Sequence, residues 1–141
     1  MTPHQIQLVR QSFAAADQDA QALARLFYAR LFVVDPSTRP LFPSDLSDQR
    51  VKLMAVLRLV VASLDRLDPL LPRIEELARR HVGYGVSARH YPSVGLALIW
   101  ALEQALGPAF TAEDRAAWIT AYGILSTTMI AAARVETRVA V

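Results

Sequence analysis

IEELARRHVGYG, residues 74–85, is the stretch on which the fold turns. Ile74, Leu77, Ala78 and His81 recur at i, i+3, i+4 and i+7, the inward stripe of an amphipathic helix, so the spacing aims the His81 imidazole at the interior. Gly83 and Gly85 follow as stop signals. A second stretch, LSDQRVKLMAVLRLVV at 46–61, sets Gln49 ahead of Leu53, Leu57, Val60 and Leu64 at intervals of four, four, three and four. Its amide therefore opens the inward stripe of another helix. A buried polar group without a partner is costly, and a polarisable group lying between the two helices would satisfy both. One strong metal ligand and one weak hydrogen-bonding group facing a single apolar pocket is the arrangement a haem requires.

Outward from these two segments the pattern is helical throughout. Thr2 and Gln5 bracket Pro3 as a capping box, and Ile6, Val9 and Phe13 mark the inner face of a helix ending near Ala16. Asp17 and Asp19 are candidate caps for a helix carrying Leu23, Leu26, Phe27 and Leu31, which must stop before Asp35-Pro36. A turn containing Pro36 and Pro40 delivers Leu41 and Phe42. The Gln49 helix is expected from about Ser47 or Asp48 to Leu67, with Asp68-Pro69 ending it, and Pro72 opens the His81 helix. Pro92 sits in the first turn of a helix reaching Leu106, Gly107-Pro108 breaks it, and Thr111 with Asp114 caps the last. The reading is all-α, six to eight helices with no repeat or linker, in a single domain spanning 1–141.

Composition excludes several classes. With 53% hydrophobic residues in 141, the chain can bury a large core but leaves no room for a second catalytic domain. Net charge is +2 without a basic run, so neither nucleic acid nor an acidic membrane surface is an expected partner. Cysteine is absent, which removes thiolate ligands and disulfides. That absence and the lack of an apolar leader after Met1 point to the cytoplasm. The 18 uncharged residues from Ala116 to Ala133 reach the lower length limit of a membrane span. They are diluted by Thr120, Tyr122, Gly123, Ser126, Thr127 and Thr128, while Trp118, Tyr122, Leu125, Met129 and Ala132 form one helical stripe, so a buried core helix is expected.

The order and spacing of FYARLF with Tyr28, the Pro36–Phe42 stretch ending in LF, DQRVKL, RRHVGYGV, HYPSVG and WITAYGIL resemble the globins. The chain is most similar to the bacterial single-domain type and to the haem domain of flavohaemoglobins, and the resemblance runs from the first helix to about Ala132. It implies the globin fold and haem b, with His81 as proximal iron ligand, Tyr28 and Gln49 on the distal side, and Phe42 packed on the porphyrin. Tyr91 is implied near the imidazole, and Leu53, Leu57, Leu77 and Val94 as further pocket residues. The sequence departs from the family where a glutamate normally sits near the end of the last helix. Ala132 and Ala133 stand there, and Glu136 falls three or four residues later, at a point expected to lie beyond the helix.

Each position also has a plainer reading. A histidine on an apolar face is most often a core residue bonded to a carbonyl. His4, in an exposed first turn, and His90, before Tyr91-Pro92, are expected at the surface and are poor rivals to His81. Tyr28 alone reads as a core-edge residue with its hydroxyl in water, and Leu53 as ordinary core. Paired with Gln49, Tyr28 becomes a donor to a partly negative dioxygen, with Leu53 crowding the ligand. The expected function is tight, reversible oxygen binding for transport, storage or scavenging. The ligands are dioxygen, carbon monoxide and nitric oxide. The alternative is nitric oxide dioxygenation with a separate flavin reductase, since no reductase pattern is present. A gas sensor would need an output domain beyond Val141, and without haem the chain would read as a helical interaction protein.

Overall fold

Short polar residues cap the first two helices and the last. The computed structural model describes residues 1–140, and the side chains of 1–132. Thr2 Oγ1 accepts the Gln5 N–H at 3.1 Å while Gln5 Oε1 accepts the Thr2 N–H at 3.0 Å, a reciprocal box that opens α1 (Pro3–Asp17). Asp19 accepts the Ala22 N–H at 3.2 Å and opens α2 (Ala20–Val34). Asp17, the other expected cap, is instead held by the Arg58 guanidinium at 2.8 and 2.9 Å. Then come α3 (Ser47–Ala62), α4 (Leu71–Gly83), α5 (Tyr91–Leu106) and α6 (Ala112–Ala140). Tight turns at Pro36–Leu41, Asp68–Leu70, Ala88–His90 and Gly107–Ala109 join them. No strand occurs among the described residues, in agreement with the all-α reading.

α3 ends five residues before the expected Leu67, and a residue from another helix is the reason. Arg10 of α1 donates to the Val61 carbonyl at 3.2 Å, the Ala62 carbonyl at 2.9 Å and the Asp65 carboxylate at 2.8 Å. Carbonyls at the C-terminus of a helix have no partner within it; here the guanidinium takes them, the chain turns, and Leu64 is free to enter the core. At the end of α4, the His81 carbonyl accepts N–H groups from Tyr84 (3.1 Å) and Val86 (2.9 Å). That wrap needs Gly85 at φ +89°, a conformation costly for any residue with a Cβ.

Packing leaves the interior in two parts. α2 lies along α5, α1 against α6, and α3 leans on α1 and α2, whereas α4 leans on α6. One apolar cluster is built from α1, α2, α3, α5 and the first half of α6; a smaller one gathers Leu70, Ile74, Ala78, Tyr91 and Met129. The uncharged stretch of α6 buries Ala117, Trp118, Ala121 and Met129 but exposes Ile119 on its other face. No helix of the described residues is long and apolar enough to cross a membrane.

Candidate functional site

Between the two clusters lies a cavity of about 910 Å³, counting its opening to solvent, walled almost wholly by hydrocarbon and aromatic side chains. His81 is on that wall. Its Nδ1–H donates to the Leu77 carbonyl one turn back, at 2.7 Å. Burial holds the imidazole below its ordinary pKa against the opposing pull of that hydrogen bond, so the ring is neutral and the lone pair is left on Nε2. An oriented, neutral imidazole whose other nitrogen is tied to a carbonyl is the usual state of a metal-ligating histidine.

Of the residues expected at the site, Leu53 and Leu57 of α3, Leu77 and His81 of α4, and Tyr91 and Val94 of α5 share this wall. α6 supplies a stretch the sequence reading assigned only to core: Trp118, Tyr122, Leu125 and Met129. Their helical stripe was readable, but nothing in a stripe says whether it faces a neighbour or a cavity. A second cavity, about 550 Å³ on the same measure, adjoins the first and shares Val60, Leu64, Ala121 and Leu125 with it.

Tyr28, Gln49 and Phe42 are not on the wall; they form a group beside it. Tyr28 is buried, not at a wet core edge, and its ring lies edge-on to Phe27 (4.9 Å) and Phe42 (5.4 Å). Its hydroxyl meets Gln49 through the main-chain carbonyl, at 3.5 Å, the limit of a hydrogen bond. Burial pushes the phenol pKa up to about 12 despite the Gln49 contact and the Arg50 charge, so Tyr28 remains a protonated donor at neutral pH. Arg39 fixes the turn carrying Phe42 by donating to the Phe42 and Pro43 carbonyls at 3.2 and 3.1 Å.

On the His81 side, Tyr91 and Tyr122 stand together. The Tyr122 hydroxyl donates to the Tyr91 carbonyl at 2.6 Å, and burial raises both phenol pKa values. The Tyr122 ring lies so close to the backbone of α5 that a Cβ on Gly95 would come within 2.7 Å of it. Among the described residues, the only hydrogen bond of the imidazole is to Leu77, and Tyr91 contributes to the wall.

Two sequence expectations need correction or completion. His90 is not at the surface: it is 4% exposed, its Nδ1 accepts the Ser87 N–H at 2.9 Å, and its Nε2 is buried without a partner among the described residues. His4 is exposed beside Glu113, as expected. α6 continues through Glu136, which therefore does not lie beyond the helix. Ala132 packs on the smaller cluster, while the Ala133 and Glu136 side chains lie outside the described residues.

Comparisons with known proteins agree with this architecture. A family model described as Globin matches residues 25–129. The flavohemoprotein of Bordetella parapertussis is 33% identical over 133 residues, 92% of this chain and 33% of its own length. The flavohemoprotein of Chromobacterium violaceum is 34% identical over 126 residues, 87% of this chain and 31% of its own length. The chain thus spans about a third of the length of the curated relatives it matches. An engineered carbene transferase, built on a candidate nitric oxide dioxygenase of Rhodothermus marinus, superimposes with a TM-score of 0.88 at 31% identity, covering 100% of this chain and 99% of that one. A bacterial globin from Campylobacter jejuni shares the fold, with a TM-score of 0.87 at 24% identity, covering 97% and 99%.

Proposed function

The chain belongs to the globin family, and on that premise we propose that it holds haem b through His81 and binds dioxygen tightly and reversibly. One observation carries the reading: a neutral imidazole, oriented by the Leu77 carbonyl at 2.7 Å, stands on the wall of an apolar cavity between two helices that do not share one core cluster. The residues present fit a flat apolar group that His81 would hold through its free nitrogen. Leu57, Leu77, Tyr91 and Val94 would pack on it, with Phe42 in the group beside the wall. When bound, the haem supplies an iron with one position open to dioxygen, carbon monoxide or nitric oxide.

The chain's own residues then set selectivity. Tyr28, protonated at neutral pH and within 3.5 Å of the Gln49 carbonyl, and the Gln49 amide would serve as donors that favour a ligand carrying partial negative charge. Leu53, one turn from Gln49 and on the wall, limits the ligand's size. The hydrocarbon lining excludes water, which strengthens each hydrogen bond made inside.

A second reading is favoured by the likeness to the Rhodothermus marinus protein: oxidation of nitric oxide to nitrate, with one dioxygen and one electron consumed per nitric oxide and the electron coming from a separate flavin reductase. Absorption spectra of the purified protein, ferric and ferrous, with and without air, test the main reading. A haem band is expected in the native protein and not in His81→Ala unless imidazole is added. An unchanged histidine-ligated spectrum in His81→Ala would overturn the assignment. Nitrate formation that stops after one equivalent in the isolated chain and resumes with a flavin reductase would favour the second reading.

A further inference from the structure

The second cavity, about 550 Å³ counting its opening to solvent, borders the site proposed for haem without belonging to it. Leu71 and Ile74 of α4 and Ile124 of α6 wall it. Val60 of α3, Leu64 just past its end, and Ala121 and Leu125 of α6 stand on the walls of both cavities. Two polar side chains complete the lining. Thr128 spends its hydroxyl on the Ile124 carbonyl one turn back, at 2.8 Å, and Asp68 is the exposed member, so it marks the edge that meets solvent. A water molecule held in a cavity needs several polar partners, and inside that edge the wall supplies only a hydroxyl already bonded. Such a space stays dry and takes up small apolar molecules. Dioxygen, carbon monoxide and nitric oxide are more soluble in hydrocarbon than in water, whereas an anion would meet the Asp68 carboxylate. The wall also leads inward: Leu64, Val60, Leu57 and Leu53 follow one another at intervals of four, three and four, and all four line the first cavity. Hydrocarbon therefore runs from the second cavity to Leu53, one turn from Gln49.

We propose that the second cavity is a dry antechamber for small apolar gases, entered beside Asp68 and opening on the first cavity between Val60 and Leu64 on one side and Ala121 and Leu125 on the other. A gas collects there from solution and passes along the α3 stripe toward Leu53. The gas site stands on the cavity alone; its use as a route rests on the haem reading given above. Passage needs only rotamer changes among the four shared residues, which core side chains undergo without a change of fold. Leu64 stands at that passage because Arg10, by taking the carbonyls at the end of α3, lets the chain turn inward after Ala62.

Xenon tests the site, and ligand kinetics test the route. Under xenon pressure the methyl resonances of Ile74 and Ile124 in the ferrous, carbon monoxide-bound chain should shift as the gas fills the cavity. Thr128→Phe and Leu71→Trp each bring a ring to the second cavity from a position that does not line the first, and should abolish those shifts. After flash photolysis, carbon monoxide and dioxygen association in both variants should slow about tenfold, equivalent to about 1.4 kcal/mol on the barrier. A route alters the barrier and not the states it joins, so dissociation should slow by the same factor and affinity should hold. Thr128→Val, which keeps the volume and removes the hydroxyl, should bind both gases at the parent rates. Xenon should itself slow association in the unmodified chain, and that measurement decides the route if neither filled variant folds. Parent rates in filled variants that have lost their xenon shifts would make the cavity a blind pocket and overturn the route. A changed affinity, with only one of the two rates altered, would place the effect at the haem and overturn it as well. Absence of any xenon shift in the unmodified chain would overturn the gas site. A chain that takes up no haem refutes the cofactor reading and the route with it, while xenon shifts in the haem-free chain still decide the site.

Discussion

Adding one methyl group at Gly95 should destabilise this protein, although the same change in an ordinary helix would stabilise it. Gly95 lies inside α5, where alanine is favoured over glycine by about 0.5–1 kcal/mol. Its Cβ, however, would lie 2.7 and 2.8 Å from two ring carbons of Tyr122. Carbon atoms rest near 3.5–4.0 Å, so the ring must retreat by roughly 1 Å. It cannot do so freely, because its hydroxyl is bonded to the Tyr91 carbonyl at 2.6 Å and its face helps wall the cavity. Overpacking of this kind costs about 1–3 kcal/mol, and a lost hydrogen bond about 1 kcal/mol more. Less the gain in helix propensity, Gly95→Ala should lose about 1–3 kcal/mol, on the order of a tenfold or greater rise in the unfolded fraction. Urea unfolding followed by circular dichroism reads this as a lower midpoint at unchanged slope. Tyr122→Leu in the same chain should relieve the clash, so the double variant should lose less than the two single losses combined. A Gly95→Ala protein as stable as the parent, or more so, would refute the reasoning.

Three further outcomes are expected. In the haem-loaded protein, Tyr28→Phe and Gln49→Leu should each speed oxygen dissociation by about ten- to a hundredfold, as for loss of one hydrogen bond to a charged group, with carbon monoxide changing far less; stopped-flow kinetics checks this, and equal changes for both gases would point to sterics. Trp118→Phe removes the 2.8 Å bond from the indole to buried Ser12 and should cost about 1 kcal/mol in urea unfolding; no loss would mean that Ser12, which also donates to the Leu8 carbonyl at 2.7 Å, does not need it. Hydrogen bonding to Arg10 holds the Asp65 carboxyl below the usual carboxylate range, so its contribution is present above about pH 4 and is lost as pH falls through the lowered value. Acid titration of Asp65→Asn should show a shallower loss of stability in that window, and an unchanged curve would contradict the pairing.

Local chemistry made much of this protein legible before folding. Proline, glycine and short polar caps act on their own backbone, so Thr2, Asp19, Gly85 and Thr111 end or begin helices where the sequence places them. The 3.6-residue period put His81 on an inward stripe, and its bond to Leu77 stays within that same helix. What sequence reading missed was set by residues far apart in the chain. Arg10 ends α3 from a distance of more than fifty residues, and His90 is buried by packing that its own local sequence does not announce. The stripe of α6 became cavity wall because α4 packs on α6 while α3 packs elsewhere. Periodicity names a face and never its partner. Only the tertiary packing decided that Tyr28 would meet Gln49 through a carbonyl and that Gly95 would seat a tyrosine ring, because such contacts depend on how helices cross, and crossing is a property of all their side chains together.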